Sequence, residues 1–181
     1  MSESIAPIIA RLRDFLRREV VQPSLFEHAL REHPRECCGM IHESGIVRQC
    51  ENAIEDWGEA EPPLNRSAKN GYALGFDDLR FLTASFDGPD PIRAIYHSHP
   101  DGSTGFSETD RLMAAPGGEP IYPQLCHLVI GCDGCCVTGA TLYSFDDGTF
   151  RQVDEMGVGP FGSAGFANSS NDGHESSADS P

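Results

Sequence analysis

Three side chains of metal-binding types, His97, His99 and Asp110, lie within fourteen residues of this chain. The two histidines come at the end of an apolar run, residues 92–97, whose length and composition predict a buried strand. Positions i and i+2 of a strand project to the same face, so both imidazoles can reach one ion. Two neutral nitrogens and one carboxylate suit zinc, and three protein ligands leave a fourth tetrahedral position for water. The stretch therefore predicts a zinc site of the catalytic type.

A hydrolytic zinc site also needs a base that takes a proton from water and passes it to the leaving group. Glu36 is the candidate for this role. It stands at the start of an apolar stretch, residues 37–41, where a carboxylate at a sheet edge can point into a cleft. Downstream, Ser107 and Asp110 have the spacing of a helix capping box. The glycine-bearing loop 102–105 allows this first helical turn to fold back toward the histidines.

The candidate residues form one spaced pattern. It reads Glu36-x-x-Gly39, His97-x-His99-Pro100 and Ser107-x-x-Asp110. The pattern resembles the JAMM motif of the MPN+ (JAB1/MPN/Mov34) zinc metalloproteases, and the resemblance covers residues 23–153. It implies a cytidine-deaminase-like MPN fold with one catalytic Zn²⁺ held by His97, His99 and Asp110. It further implies that Glu36 is the general acid/base and that the Ser107 hydroxyl stabilises the tetrahedral intermediate.

The resemblance also implies a class of substrate. Family members hydrolyse peptide or isopeptide bonds after the C-terminal glycine of ubiquitin, or trim bacterial ubiquitin-like and sulfur-carrier proteins. The compact size and the residues around Glu36 are similar to the bacterial and phage branch. The implied activity is thus a deubiquitinase-like metallopeptidase or isopeptidase that acts on a ubiquitin-like protein, with partner-binding segments near residues 53–72 and 114–124. The alternative is a zinc-containing interaction or assembly module, for example in phage tail assembly, with little or no turnover.

Composition narrows the other possible partners. The chain has 181 residues, and 13 basic against 28 acidic side chains give a net charge of −15. This charge repels phosphate backbones and anionic membrane surfaces, which disfavours nucleic-acid and membrane partners. No apolar run is long enough to span a bilayer, and no secretory signal is visible, so we expect a cytoplasmic protein. The sequence leaves the oligomeric state open.

The elements that must position the site predict an α/β or α+β fold, with a mixed β-sheet flanked by helices. We predict an N-terminal amphipathic helix within residues 1–22, a JAMM/MPN+ domain at 23–154 and a flexible Gly/Ser-rich acidic tail at 155–181. The first helix is expected to dock on the domain, with a membrane-surface or transit-peptide role as the alternative. Further predicted elements are a helix capped by Ser24, a hairpin over 37–50, a loop over 51–70, a helix capped by Asp77 and strands at 125–130, 137–145 and 150–153.

Seven cysteines make an odd count, with two adjacent pairs, and we expect reduced thiols. Cys132-x-x-Cys135, with Cys136 and Cys126 nearby, allows a second zinc site or a redox pair. A hairpin turn is the favoured interpretation, because glycines lie within the segment and a Cys₄ zinc site normally needs a second Cys-x-x-Cys. Trp57, in the acidic loop, is either a partner anchor or packs on its own loop.

Overall fold

The computed structural model describes residues 5–17, 21–56 and 66–157. Its α-helices are α1 Ile5–Leu16, α2 Val21–Glu32, α3 Phe76–Ser85 and α4 Glu108–Ala114. Its strands are β1 Cys38–His42, β2 Val47–Cys50, β3 Ile92–His99, β4 Cys126–Cys132, β5 Val137–Asp146 and β6 Thr149–Met156. None of the helices in these described ranges has the length and apolarity required to cross a bilayer.

The six strands form one sheet in the order β2-β1-β3-β4-β5-β6. All neighbouring pairs are antiparallel except β3 and β4, which are parallel. Parallel neighbours need a crossover connection, and this one carries α4. The mixed sheet flanked by helices confirms the predicted α+β class.

The two faces of the sheet carry different helices. Ala94 and Tyr96 of β3 belong to a core cluster that also contains buried residues of α1 and α2. Ile95, which points to the other face, packs in the cluster that contains Leu82 of α3. His97 lies on this second face, in ring contact with Phe106. Helix α1 therefore packs on the face opposite the histidines and does not cover them.

Helix α1 docks on the sheet, as predicted. Its buried face includes Leu12 and Phe15. At its C-terminal end, Arg17 donates to the Asp154 carboxylate of β6 at 2.9 Å. The boundaries 1–22, 23–154 and 155–181 stay predictions, although β6 continues two residues past the predicted end of the domain. Trp57, the acidic segment around it (57–65) and most of the predicted tail (158–181) lie outside the described residues.

Two predicted helix caps are wrong. Helix α2 begins at Val21, so Ser24 lies inside it. Pro23 is accommodated because the first-turn N–H groups of a helix have no intrahelical acceptor. Helix α3 begins at Phe76 with Gly75 as its N-cap and no side-chain cap, so Asp77 lies in the first turn. At that position the negative charge of Asp77 still interacts favourably with the helix dipole.

Candidate metal centre

The predicted ligands converge at the C-terminal end of β3. His97 and His99 project from one face of the strand, and Asp110 lies in the first turn of α4. The Asp110 Oδ2 atom lies 3.4 Å from His97 Nε2 and 3.3 Å from His99 Nε2. The two Nε2 atoms are 3.2 Å apart, and all three residues are buried.

These spacings fit one small ion. Ligand atoms about 2.0–2.1 Å from a tetrahedral zinc ion lie about 3.3 Å from one another, which is close to the three separations found here. Among the residues that the structure describes, this is the one group of three or more His, Cys, Asp or Glu side chains close enough to share a metal.

Asp110 is held by the start of its own helix. Its Oδ2 accepts hydrogen bonds from the backbone N–H of Ser107 at 2.9 Å and from the Ser107 hydroxyl at 2.6 Å. The Asp110 N–H in turn donates to Ser107 Oγ at 3.1 Å, which completes the predicted capping box. Burial raises the pKa of the Asp110 carboxyl, but hydrogen bonds from the histidines and Ser107 outweigh burial and hold that pKa well below its ordinary range. The carboxylate is thus ionised, as a metal ligand must be.

Each histidine is oriented by a residue that was not among those predicted from the sequence. The Nδ1 atom of His99 is 3.0 Å from the Ser103 hydroxyl, which leaves Nε2 directed at the metal site. Tyr72 stacks on the His97 ring with centroids 4.6 Å apart and planes at 23°. Ser103 lies four residues after His99, in the loop that follows β3, and this short spacing is a signal that could have found it. Tyr72 is distant in sequence and gives no such signal.

The sheet register brings Glu36 to the ligands. Cys38 pairs with His97 across β1 and β3, and the Ser98 N–H donates to the Cys37 carbonyl at 3.1 Å. Glu36 is only 5% exposed, and its Oε2 atom has no hydrogen-bond partner among the described residues. Burial, reinforced by the negative charge of Asp110, raises the pKa of Glu36 to about 7, although His99 opposes the shift. A buried carboxyl with this pKa suits proton transfer near neutral pH.

Comparison with known proteins identifies the family. A family model described as prokaryotic homologs of the JAB domain matches residues 18–145. The chain belongs to this family. The match confirms the resemblance read from the motif and its JAB/MPN fold.

Two solved structures are also similar to this JAB-domain protein. A protein from Desulfitobacterium hafniense is 19% identical, with 75% of this chain and 87% of that chain covered and a TM-score of 0.48. A protein from Salinibacter ruber is 16% identical, with 81% and 92% covered and a TM-score of 0.43. No curated protein matches the chain.

A buried asparagine connects Glu36 to the far wall of the JAB-domain site. Asn52 Nδ2 donates to the carbonyl of Glu36 at 2.9 Å and to that of Gly71 at 3.0 Å. Its Oδ1 accepts from the N–H groups of Ile54 and Ala73, both at 3.2 Å. Asn52 thus ties the start of β1 to residues 66–73, named here the wall segment, which carries Tyr72. The sequence alone does not predict this role for Asn52.

The cysteines form no second metal site in the described part of the protein. The N–H groups of Cys135 and Cys136 both donate to Asp133 Oδ1 at 2.9 Å, within the turn that joins β4 and β5. The hairpin interpretation is therefore confirmed. All seven thiols are free. Cys37 and Cys38, beside Glu36, are buried, and burial raises the pKa of both thiols, that of Cys37 to about 12. Such pKa values favour the protonated thiol over the nucleophilic thiolate at neutral pH.

Proposed function

We propose that this protein is a zinc-dependent hydrolase that cleaves a peptide or isopeptide bond at the C-terminus of a ubiquitin-like or sulfur-carrier protein. The observation that carries the proposal is the convergence of His97, His99 and Asp110 at separations of 3.2–3.4 Å beside a buried carboxyl with a pKa of about 7. Membership of the JAB-domain family supports a metal-dependent hydrolase. The identity of the metal and the substrate class belong to the proposal.

His97, His99 and Asp110 would hold the zinc ion. Zinc bound by such a ligand set acts as a Lewis acid toward a carbonyl and makes water a stronger acid. Glu36 would take the proton from the attacking water, because its pKa lies near neutrality, and would return that proton to the leaving amine. Asn52 holds the Glu36 backbone during both transfers through its 2.9 Å hydrogen bond.

Ser107 is proposed to donate to the oxyanion of the tetrahedral intermediate. Its hydroxyl donates to Asp110 at 2.6 Å in the structure. The proposed role therefore requires that this proton turn from Asp110 toward the substrate. Replacement of Ser107 by Ala would then affect both the metal ligand and the intermediate, and a metal titration beside the rate measurement separates the two effects.

The experiment that tests the proposal is intact-mass analysis of C-terminally extended ubiquitin and bacterial ubiquitin-like proteins after incubation with zinc-loaded protein. The matched control is Glu36→Gln, which keeps the side-chain shape and removes the titrating group. We expect the wild type to cleave after a terminal glycine, and the variant to retain one zinc ion without turnover. If wild-type protein that holds one zinc cleaves no carrier in the panel, the hydrolase proposal is wrong and the non-catalytic assembly module takes its place.

A further inference from the structure

Arg66 lies at the start of the wall segment, against the backbone of Gly71. A β-carbon placed on Gly71 would be 2.5 Å from both Nε and Nη2 of Arg66. The guanidinium therefore occupies the space that the missing side chain of Gly71 leaves. Tyr72, the residue after Gly71, stacks on the ring of His97. The Arg66 guanidinium therefore packs against the part of the wall segment that contacts the candidate metal site.

The charge of Arg66 reaches the site itself. Burial is the largest influence on the pKa values of Glu36, Tyr72 and His97, and the positive charge of Arg66 lowers all three. Three groups on different elements thus locate this charge near the proposed acid/base and the first metal ligand.

Arg66 has no internal partner in the described part of the chain. Its Nε atom is buried and has no hydrogen-bond acceptor, and it forms no ion pair with a described carboxylate. Other arginines of this acidic protein do pair, for example Arg48 with Asp78 and Arg93 with Glu43, both at 2.9 Å. A half-buried guanidinium without an acceptor is costly to desolvate, unless a ligand supplies the missing acceptor.

We propose that Arg66 is a specificity-determining residue that binds a carboxylate at the cleaved end of the substrate tail. The planar guanidinium group of arginine matches a carboxylate in both geometry and charge. It does not match a neutral amide in this way. This inference rests on the proposed function and adds that the carrier tail presents a terminal carboxylate to Arg66 at the scissile bond, either before or after cleavage. The carboxylate has two possible sources, the C-terminal residue that is removed or the new terminus of the trimmed carrier.

The test compares two forms of one ubiquitin-like carrier with a one-residue extension, prepared by semisynthesis as the free acid and as the amide. For the wild type we expect a KM for the acid form that is about tenfold or more below the KM for the amide form, since hydrogen bonds to charged groups are stronger than those to neutral groups. Arg66→Gln should abolish the difference with little change in kcat, and Arg66→Lys should restore part of it. Gly71→Ala keeps the charge but displaces the guanidinium, so it should behave like Arg66→Gln.

Arg35→Gln is the matched control. Arg35 is exposed and lies next to Glu36 in sequence, so its replacement makes the same charge change without altering the proposed contact. If Arg66 binds the new terminus of the trimmed carrier, the acid and amide forms of the extended carrier are cleaved with the same KM. In that case Arg66→Gln weakens the inhibition of the enzyme by the trimmed carrier. The inference is overturned if Arg66→Gln and Arg35→Gln match the wild type in both the acid-amide comparison and the product inhibition.

A second readout does not depend on turnover. The Nε–H resonance of Arg66 is assigned by its loss in Arg66→Lys. It should shift when the free acid of the trimmed carrier is added, or when the free acid of the one-residue-extended carrier is added to the Glu36→Gln variant, and the matching C-terminal amides should not shift it. If no carrier is cleaved, the proposed function fails, while this titration still decides whether Arg66 binds a carboxylate. A resonance that stays unchanged at saturating concentrations of both free acids overturns the inference. Circular dichroism melting of each variant verifies that it is folded.

Discussion

Cys38 lies directly opposite His97 in the antiparallel pair of β1 and β3. In an antiparallel register, a step back along one strand matches a step forward along the other. Two such steps place Glu36 opposite His99. The proposed acid/base and the second candidate metal ligand are thus neighbours, because β1 and β3 are paired in this register and no other. A slip of one residue would turn the Glu36 side chain to the opposite face of the sheet.

Replacement of Asp110 by Ala should abolish stoichiometric zinc binding. The change removes the single negative ligand from a three-ligand set, and the two remaining imidazoles hold zinc poorly on their own. Metal content after dialysis, followed by competition with a chelator, measures the loss. Glu36→Gln should still retain one zinc ion. Loss of metal from that control would mean that Glu36 is a ligand instead of a base.

Ser103→Ala should weaken zinc binding by about tenfold to a hundredfold, the usual effect of removing a hydrogen-bond partner of a metal-binding histidine. The hydroxyl lies 3.0 Å from His99 Nδ1 and orients that ring. Ser103→Thr keeps a hydroxyl at this position and serves as the control. Equal zinc affinity in the Ala variant and the wild type would show that the contact does not orient His99.

Asn52→Ala should lower the free energy of unfolding by about 2–4 kcal/mol, because it leaves several buried backbone groups without partners. Asn52→Asp is the sharper variant. It keeps an acceptor for the N–H groups of Ile54 and Ala73 but cannot donate to the Glu36 and Gly71 carbonyls. We expect a lower kcat in Asn52→Asp even where urea titration shows the protein fully folded. An unaltered kcat would restrict Asn52 to a structural role.

Stability should decrease in mild acid through His28. This residue is buried, its Nδ1 lies 2.8 Å from the Tyr96 hydroxyl, and burial, aided by Arg31, lowers its pKa from 6.5 to about 4. Between those values the unfolded chain binds a proton that the folded protein does not. The contribution of neutral His28 to the free energy of unfolding is therefore complete above pH 6.5. It is lost as the pH falls toward 4, by about 3 kcal/mol in total.

The His28 effect is best measured as the difference between the wild type and His28→Asn, which does not titrate in this range. Urea unfolding at several pH values should show the advantage of the wild type shrinking in acid. A difference that stays constant from pH 7 to pH 4 would contradict the assignment.

Gly39→Ala should destabilise the protein by about 1–3 kcal/mol, the usual cost of overpacking. Gly39 pairs with Tyr96 across β1 and β3. A β-carbon there would lie 2.4 Å from the backbone carbonyl oxygen of Arg48 and 2.5 Å from the Tyr96 ring and hydroxyl. The glycine of the motif thus makes room for the tyrosine behind the site. Thermal melting measures the effect, and Gly105→Ala is the matched control because a β-carbon on Gly105 would meet nothing within 4 Å. A melting temperature unchanged by Gly39→Ala would show that both Tyr96 and the Arg48 backbone can move aside.

The family, the mixed sheet and the convergence of His97, His99 and Asp110 were predictable from the sequence because the determining signals are local. His97 and His99 share a face through the two-residue period of one strand, and Ser107 and Asp110 meet within one helical turn. The errors were also local. The beginnings of α2 and α3 were misplaced, because good capping residues occur near a helix start without being the cap itself.

The sequence by itself determined which residues could bind a metal and which family pattern they follow. Only the tertiary structure decided which distant groups surround them. Glu36 meets His99 through the register of β1 and β3, Tyr72 stacks on His97, and Asn52 ties the wall segment to the start of β1. Such contacts between residues far apart in the chain depend on how strands pair and loops close, and no short-range period encodes them.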